Sequence, residues 1–570
     1  MTLWGPTLLA ADRTRFRLWA PDRDAVTLEI DGAAPVAMAR EADGWFGVEA
    51  AAGAGTRYRF RLDADLAVPD PASRAQAGGV HGWSVVTDAD AYGWQTADWR
   101  GRPWEEAVIQ EVHVGTLGGF AGVAETLPAL AALGVTAIEL MPVNAFGGTR
   151  NWGYDGVLPF APAESYGTPD DLKALIDRAH GLGLMVFLDV VYNHFGPDGN
   201  YLGAYASGFF DADVDTPWGG AVAVETPAVH AFFRENAAMW LNQYRCDGLR
   251  FDAVHAIGNE DFLDRLAGEL RAAVGPDRHV HLVLENENND ADRLTSERYD
   301  AQWNDDFHNV MHVLLTGETS GYYADFAERP AERLARCLAE GFIYQGQGWP
   351  NHAGEPRGKP SGHLPPSAFV SFLQNHDQIG NRAMGERLTL LADPAKLRAA
   401  TSLLLLSPQI PLLFMGDQDG SEAPFLFFTD FQDDLADAVR EGRRREFAQF
   451  AAFADPAARE RIPDPNAETT FVQSRAVPGP AVAEWRALYA RLLALRREAI
   501  VPRLKGARSI GAEVIGEGAV VARWRMGDGA TLTLAINLAD ASVGFPEIAD
   551  PLFVLGNAGA PGSFGAWIEH

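Results

Sequence analysis

Eight short apolar segments, separated by stretches with helical periodicity, constrain the fold of this chain more than any other feature. The clearest is Met185–Val191 (MVFLDVV), a continuous apolar run typical of a strand buried on both faces of a parallel sheet. A strand followed by a helix, repeated eight times, predicts an α/β fold, a (β/α)8 TIM barrel. The predicted strands are Ala107–Val114, Ala137–Met141, Met185–Val191, Gly248–Asp252, Val280–Glu285, Ala301–Trp303, Phe369–Leu373 and Pro411–Met415.

The regions on both sides of the barrel have the two-residue period of β-strands. RFRLWAP and TRYRFRLD near the start predict an N-terminal β-sandwich, and ATLTLAINLA predicts a C-terminal β-sandwich. Trp45, Tyr58 and Trp83 in the first sandwich are expected to pack in its interior or against the barrel, as most aromatic side chains do. We therefore expect three domains, at residues 1–98, 99–500 and 501–570.

Charge and cysteine content exclude several classes of protein. A net charge of −30 argues against nucleic-acid binding, which needs basic patches. Two cysteines without CxxC spacing argue against a disulfide framework or a zinc site. The first residues lack a basic and then apolar signal sequence, and no apolar run reaches the about 20 residues of a membrane span. We expect a cytoplasmic protein without a membrane segment.

The fourth predicted strand carries the first candidate chemistry. In GLRFD, Leu249 and Phe251 face one side of the strand, whereas Arg250 and Asp252 face the other. An arginine beside an aspartate stabilises the ionised carboxylate, and an ionised carboxylate can act as a nucleophile. The alternative at this point is a structural ion pair at the end of a sheet.

Polar residues also follow the other strands, and a barrel brings strand ends together. We expect these residues to converge: Asp189, Asn193, His194, Arg250, Asp252, His255, Glu285, His376 and Asp377. Several carboxylates without a thiol, a Ser–His pair or a phosphate loop fit metal-assisted hydrolysis or glycosyl transfer. Trp152, Tyr154 and Trp218 in nearby loops favour a sugar substrate, because their rings offer a platform for a pyranose.

Four motifs extend this hypothesis into a family resemblance. DVVYNH, GLRFDAVH, Glu285 and QNHD resemble, in order, the four sequence regions of the α-amylase family of glycoside hydrolases. Longer stretches, among them RNWGYDGVLPFAP, AQWNDDFHN and LLTGETSGYYADF, resemble the maltooligosyltrehalose trehalohydrolase branch. The resemblance implies retaining hydrolysis of the α-1,4 bond next to the terminal trehalose of maltooligosyltrehalose. It also implies a metabolic partner enzyme that makes this substrate.

The resemblance also implies roles for individual residues. Asp252 would be the nucleophile, Glu285 the general acid and base, and Asp377 a ligand of sugar hydroxyls in the transition state. Arg250 would keep Asp252 ionised. The implied substrate contacts are Trp152, Tyr154, His194, Arg250, His255, Asp305, Asp306, His308, His376, Gln378 and Asn381. No metal and no cofactor is expected.

Some features depart from the family or leave its activity open. The connection after Thr116 is short, and Asp417 and Gln418 stand where relatives often have two glutamates, so chain-length or linkage preference can differ. The arginine run Arg440–Phe447 predicts a solvated or ion-paired helix face. An α-1,4-glucan branching transferase, a general α-amylase and a non-catalytic glycan-binding protein remain alternatives.

Overall fold

A closed barrel of eight parallel strands occupies the middle of the chain. The computed structural model describes residues 3–216 and 219–570. In barrel order, which is also chain order, the strands are β1 (Ile109–Val112), β2 (Ala137–Leu140), β3 (Met185–Val190), β4 (Gly248–Phe251), β5 (His281–Leu284), β6 (Ala301–Trp303), β7 (Phe369–Ser371) and β8 (Ile410–Phe414). Pairing of Ile109 with Leu412 joins β8 to β1 and closes the barrel. The eight predicted strands are confirmed, with slightly shifted ends.

Helices surround the barrel, but the repeat is imperfect. They are α1 (Gly119–Leu133), α2 (Pro169–Gly181), α3 (Pro227–Asn242), α4 (Glu260–Val274), α5 (Asp305–Thr316), α6 (Pro330–Glu340), α7 (Pro394–Leu406) and α8 (Val482–Leu495). Between β5 and β6 the described chain has only the 3-10 turn Ala291–Arg293, and both α5 and α6 follow β6. The expected strict alternation is therefore wrong at this point. The segment after β5, ENENNDAD, is rich in Asn and Asp, which favour turns over helices.

Shorter helices and hairpins extend the loops at the carboxyl ends of the strands. The additional helices are His376–Gly380, Leu388–Leu391, Asp433–Glu446, Pro456–Arg459 and Glu468–Gln473. Hairpins follow β2, β3 and β6: Asn144–Phe146 with Gly156–Pro162, Phe210–Thr216 with Gly219–Val222, and Gln347–Gly348 with Pro356–Arg357. Among the described residues, no helix has both the length and the apolar character needed to cross a membrane.

The side chains inside the barrel change character along its axis. One cluster is apolar and includes Ile109, Ala137, Met185, Phe187, Val283, Ala301, Val370 and Leu412. Nearer the carboxyl ends of the strands, Glu111, Glu139, Asp189 and Arg250 are buried. Buried charges persist only when they are paired or hydrogen-bonded, so this layer marks the end of the barrel where chemistry is expected.

The N-terminal region forms two antiparallel sheets, which confirms the predicted sandwich. One sheet contains Thr7–Ala10, Arg13–Trp19, Ala39–Arg40 and Trp45–Ala51, and the other Thr27–Ile30, Val36–Ala37, Arg57–Arg61, Ala67–Val68, Gln76–Ala77 and Trp83–Val85. Trp45 and Tyr58 are buried. The Arg59 guanidinium lies 4.3 Å from the centre of the Trp83 ring. These contacts agree with the packing role expected for the three aromatic residues.

The C-terminal region forms one five-stranded antiparallel sheet among the described residues: Arg508–Gly516, Ala519–Arg525, Thr531–Asn537, Phe553–Leu555 and Ser563–Glu569. Helices α6 and α7 cover one face, where Leu334 and Leu404 share an apolar cluster with Trp524 and Leu534. The second layer of the expected sandwich is therefore made by barrel helices. The predicted boundary at 98/99 falls in a connecting segment, whereas 500/501 falls in helical turns (Arg496–Ile500 and Val501–Arg503) that continue α8; both boundaries stay predictions.

Candidate active site

Arg250 is the centre of a hydrogen-bonded group of carboxylates at the carboxyl end of the barrel. Its Nη1 donates to Asp189 Oδ2 on β3 and to Asp252 Oδ1 just after β4, both at 2.7 Å. Its Nη2 lies 3.7 Å from Glu285 Oε2 at the end of β5. The Tyr154 hydroxyl also donates to Asp189 Oδ2, at 2.6 Å. The structure thus brings together five of the residues predicted to converge or to bind a sugar.

The register of the strands explains this convergence. Asp189 is paired with Arg250 across β3 and β4, so the two side chains leave the sheet side by side. Trp303 on β6 lies beneath the guanidinium, with the ring centre 4.1 Å from the Arg250 Cζ. Burial lowers the pKa of Arg250, but the charges of the surrounding acids more than compensate and raise it overall. Arg250 is therefore a fixed cation.

Glu285 has the environment of a carboxyl group that retains its proton. Burial raises its pKa, the Arg250 charge opposes this, and the Asp252 charge raises it further, so the net pKa lies above the ordinary 4.5. Its Oε2 accepts a hydrogen bond of 2.6 Å from the Ala253 backbone N–H. Ala253 has a left-handed φ of 41°, an uncommon backbone conformation that occurs at functional sites. This turn directs the N–H toward Glu285.

The short helix His376–Gly380 presents His376 and Asp377. It begins at Asn375, whose side-chain oxygen accepts hydrogen bonds from the N–H groups of Asp377 (2.9 Å) and Gln378 (3.4 Å). Glu111 on β1 accepts from the His376 backbone N–H at 3.0 Å and also bonds the ring Nδ1. Burial lowers the pKa of His376, but the charge and hydrogen bond of Glu111 outweigh burial and raise it overall. Glu111 was missed by sequence reasoning.

Asp377, Asp305 and Glu285 form a second group of acids, in which Asp305 is influenced by the charges of the other two. Burial is the main reason that the pKa of Asp377 is raised, with further increases from Asp252 and Glu111. Burial and the charges of Glu285 and Asp377 raise the pKa of Asp305 well above its usual range. Within residues 3–216 and 219–570, no cluster of three or more His, Cys, Asp or Glu side chains is arranged to hold a metal ion. The charges of neighbouring acids thus add to burial in raising the pKa of both Asp305 and Asp377.

Two amide side chains complete this part of the site. Asn381 Nδ2 donates to Asp377 Oδ1 at 2.5 Å, and Gln378 Nε2 lies 3.4 Å from Asp305 Oδ1. Both amides belong to the same QNHDQIGN segment. The structure therefore places Asn381 beside Asp377 and Gln378 beside Asp305.

The predicted contacts His194 and His255 lie in the loops after β3 and β4. His194 Nε2 is 3.0 Å from the Tyr154 carbonyl oxygen and its Nδ1 is 2.6 Å from Asn193 Oδ1. The Tyr154 ring stacks on the His376 ring at 5.0 Å between centres. His255 Nδ1 accepts a 3.3 Å hydrogen bond from the backbone N–H of Glu287. His194, Tyr154 and His376 are thus in contact in series, with Tyr154 between the two histidines.

Trp152, predicted to form a sugar platform, is buried instead. Its Nε1 donates to the Leu426 carbonyl at 2.8 Å, and its ring stacks on Phe425 at 5.5 Å. Its ring lies nearly perpendicular to that of His376, at 5.6 Å between centres. Trp152 therefore supports His376 from behind. Trp218, the other predicted platform residue, lies outside the described residues.

Asp306 and His308 are also buried behind the site. Asp306 Oδ2 accepts hydrogen bonds from the N–H groups of Ile343 (2.7 Å) and Tyr344 (3.1 Å), and its Oδ1 lies 3.2 Å from Arg357 Nη1. His308 Nδ1 bonds the backbone carbonyl of residue 373 at 2.6 Å. Asp306 thus stabilises the loop region after β6, and His308 stabilises the segment after β7. Of the adjacent pair Asp305 and Asp306, only Asp305 faces the acids of the site.

Asp417 and Gln418, which depart from the family pattern, are satisfied inside the barrel end. Asp417 accepts hydrogen bonds from Gln374 Nε2 (2.7 Å) and from the Phe414 N–H (2.9 Å). Burial raises the pKa of Asp417 to about 6. Gln418 Oε1 accepts from Gln110 Nε2 at 2.9 Å. Both side chains tie β8 to its neighbours.

Comparison with known families agrees with this geometry. The family described as Alpha amylase, catalytic domain, matches residues 86–209, and a domain of unknown function (DUF3459) matches residues 507–564. A crystal structure described as a putative alpha amylase from Salmonella typhimurium has a TM-score of 0.94 and 44% identity, covering 100% of both chains. The barrel and its acids define a glycoside hydrolase of the α-amylase class.

Relatives of known name narrow this class. The malto-oligosyltrehalose trehalohydrolase of Deinococcus radiodurans is 43% identical over 500 residues, which is 85% of this chain and 81% of the relative. The protein of the same name from Rhizobium sp. (strain M-11) is 38% identical over 558 residues, 93% of this chain and 91% of the relative. The chain belongs to the malto-oligosyltrehalose trehalohydrolase family, which confirms the resemblance drawn from its motifs.

Proposed function

We propose that this glycoside hydrolase cleaves the α-1,4 bond between a maltooligosaccharide and its terminal trehalose unit, with retention of configuration. The observation that carries the chemistry is the placement of Asp252 and Glu285 on either side of the Arg250 guanidinium. The substrate is proposed from the name shared by the relatives. The products are trehalose and a maltooligosaccharide.

In the first step, an Asp252 carboxylate oxygen attacks the anomeric carbon of the sugar that precedes trehalose. Glu285 transfers its proton to the glycosidic oxygen, the bond between carbon and that oxygen breaks, and trehalose leaves as a neutral alcohol. The maltooligosaccharide is then held on Asp252 as a glycosyl ester. Arg250 favours this step because its Nη1 donates a 2.7 Å hydrogen bond to Asp252 Oδ1 and so fixes the orientation of the carboxylate.

In the second step, Glu285 is ionised and accepts a proton from water. The water oxygen attacks the anomeric carbon, the ester bond to Asp252 breaks, and Asp252 is regenerated as a carboxylate. Two inversions at one carbon give overall retention. The raised pKa of Glu285 supports both of its tasks, since the group must hold a proton before the first step and regain one in the second.

The remaining site residues are assigned by position. We place the sugar of the cleaved bond against Tyr154, His194, His376 and Asp377, whose side chains line the barrel end around Asp252. We place trehalose toward His255, Asp305, Gln378 and Asn381. Trp152, Asp306 and His308 are assigned indirect roles, because each is buried behind a loop of the site.

The proposed substrate also implies a metabolic context. Trehalose at the end of a glucan chain must be made by a partner enzyme, so the protein would act second in a route of trehalose biosynthesis. The cytoplasmic location expected from the sequence stays a prediction.

The proposal is tested by supplying maltopentaose and its trehalose-terminated counterpart, separately, to the purified protein and identifying the products by chromatography. Rapid trehalose release from the second substrate and slow cleavage of the first are expected. Equal cleavage of both would identify a general α-amylase, and longer branched products would identify a transferase. Binding of either sugar without any product would identify a glycan-binding protein.

A further inference from the structure

Arg443 lies on the helix Asp433–Glu446, which we call the insertion helix because it follows β8 and precedes the last barrel helix. The sequence predicted a solvated or ion-paired face for its arginine run; Arg443 is ion-paired, with Glu446, but it is buried and not solvated. Its side chain is 8% exposed, whereas Arg445, two residues further on, is exposed. An arginine buried in a run of surface arginines requires partners of its own.

The partners of Arg443 are two backbone carbonyls in the segment that carries Asp377. Arg443 Nη2 donates to the Gly380 carbonyl oxygen at 2.5 Å and to the Arg382 carbonyl oxygen at 3.2 Å. Its Nη1 pairs with Glu446 at 3.1 Å. Carbonyls at the end of a helix have no partner within that helix, and a cation is the group that satisfies them best.

Aromatic rings fix the Arg443 guanidinium in place. Its Cζ lies 4.6 Å from the centre of the Phe447 ring and 5.5 Å from that of Phe427. A planar guanidinium stacks on such rings and keeps its hydrogen-bonding fork in one orientation. A lysine at this position would present a single nitrogen on a flexible stem and would not reproduce both features.

The short helix His376–Gly380 is held on its other sides as well. Asn375 caps its first turn and Glu111 bonds His376. Gly380 lies directly on the Trp152 ring, since a Cβ added there would come within 2.0 Å of it. Arg443 adds a contact from the insertion helix to the carbonyl end of this helix, where Gly380 already packs on Trp152.

We infer that Arg443 is a positioning residue that fixes the Asp377 carboxyl by holding the carbonyl end of its helix from the insertion helix. This inference rests on the proposed role of Asp377 in binding the sugar during bond cleavage. Asn381, which bonds Asp377 at 2.5 Å, lies between the two carbonyls that Arg443 binds. Movement of residues 376–382 would therefore displace Asp377 together with Asn381, its hydrogen-bond partner.

The kinetic test compares Arg443→Met and Arg443→Lys with the matched control Arg445→Met. A displacement of about 1 Å near reacting groups costs about 100-fold in rate, so Arg443→Met should lower kcat by about 10- to 100-fold with little change in KM. The kcat of Arg443→Lys should lie between that of Arg443→Met and that of the wild type, and the kcat of Arg445→Met should equal that of the wild type. A folded Arg443→Met or Arg443→Lys protein with wild-type kcat would overturn the inference.

A double-mutant cycle tests whether Arg443 acts through Asp377. If it does, Arg443→Met should reduce the residual rate of Asp377→Asn much less than it reduces the wild-type rate. An equal reduction in both backgrounds would show a general structural role and contradict the inference. If Arg443→Met does not fold, Arg443→Lys replaces it in both the kinetic comparison and the double-mutant cycle.

Hydrogen exchange provides a readout that does not depend on catalysis. The amides of residues 376–382 should exchange faster in Arg443→Met than in Arg445→Met, while the barrel strands stay unchanged. Unchanged exchange in this segment would overturn the inference even if the substrate proposal holds. Absence of trehalose release by the wild type, with faster exchange in Arg443→Met, would overturn only the proposed function.

Discussion

Arg250 Nη1 lies 2.7 Å from Asp189 Oδ2 and equally close to Asp252 Oδ1. One guanidinium nitrogen therefore serves two carboxylates, and exposure separates them: the Asp189 side chain is 1% exposed and that of Asp252 is 13% exposed. The Tyr154 hydroxyl donates a second hydrogen bond to the same Asp189 oxygen. Asp252 is thus the carboxylate of this pair that a substrate can approach.

Replacing Asp252 by asparagine should reduce trehalose release by several orders of magnitude, because an amide does not form the glycosyl ester. The turnover number of the purified variant is the measurement, and its thermal midpoint shows whether the fold is retained. Asp277→Asn, in the exposed turn before β5, is the matched control and should be fully active. Near-normal turnover of a folded Asp252→Asn protein would remove this residue from the proposed mechanism.

The rate should depend on pH with two limbs, and the alkaline limb should belong to Glu285. The pKa of Glu285 is raised above 4.5, so the proton needed for the leaving oxygen persists to higher pH and is lost as pH rises through the raised pKa. Measuring kcat/KM from acid to alkaline pH tests this. In Glu285→Gln the residual rate should no longer fall along that limb; an unchanged alkaline limb would assign it to another group.

Glu111→Gln should weaken substrate binding through His376. Because Glu111 bonds Nδ1, the other nitrogen, Nε2, can donate to a sugar only when His376 carries both protons. Glu111 raises the pKa of His376, and a neutral glutamine should lower it, so His376⁺ should be lost at a lower pH than in the wild type. Titration of the His376 ring by NMR, with KM followed over the same pH range, measures both effects. A His376 titration identical to that of the wild type would contradict this account.

Asp306→Ala should affect stability more than catalysis. The substitution leaves the buried Arg357 guanidinium and two loop N–H groups without their carboxylate, and losing one partner of a buried ion pair costs about 3–5 kcal/mol. Urea unfolding gives the change in stability, and KM of the folded fraction should stay near that of the wild type. Asp277→Ala serves as the exposed control. A large increase in KM at unchanged stability would show that Asp306 contacts the substrate directly.

Local patterns in the sequence were sufficient to predict the barrel and the residues at its strand ends. Apolar runs such as Met185–Val191 specify buried strands, and a barrel then requires Asp189, Arg250 and Glu285 to meet. Local sequence also determines the start of α2, where the Thr168 side chain caps the helix by accepting a hydrogen bond from the Asp171 N–H.

Contacts between distant segments could not be predicted in this way. Trp152 is buried because Phe425 and Leu426, more than 270 residues later, cover it. Asp305 and Asp306 are adjacent and chemically identical, yet only the packing of residues 343–344 decides which one faces inward. The available signal for Glu111 was its place as the one acidic residue in the predicted strand AVIQEVHV.

Helices α6 and α7 share one apolar core with the C-terminal sheet, which is the last part of the chain to be synthesised. The apolar faces of α6 and α7 pack against strands between residues 508 and 569, so these faces stay exposed until that part of the chain has been synthesised. A nascent chain that contains the complete barrel still exposes Leu334 and Leu404 to water and to other chains. Chaperone demand should therefore peak late in translation and fall once the final sheet has docked.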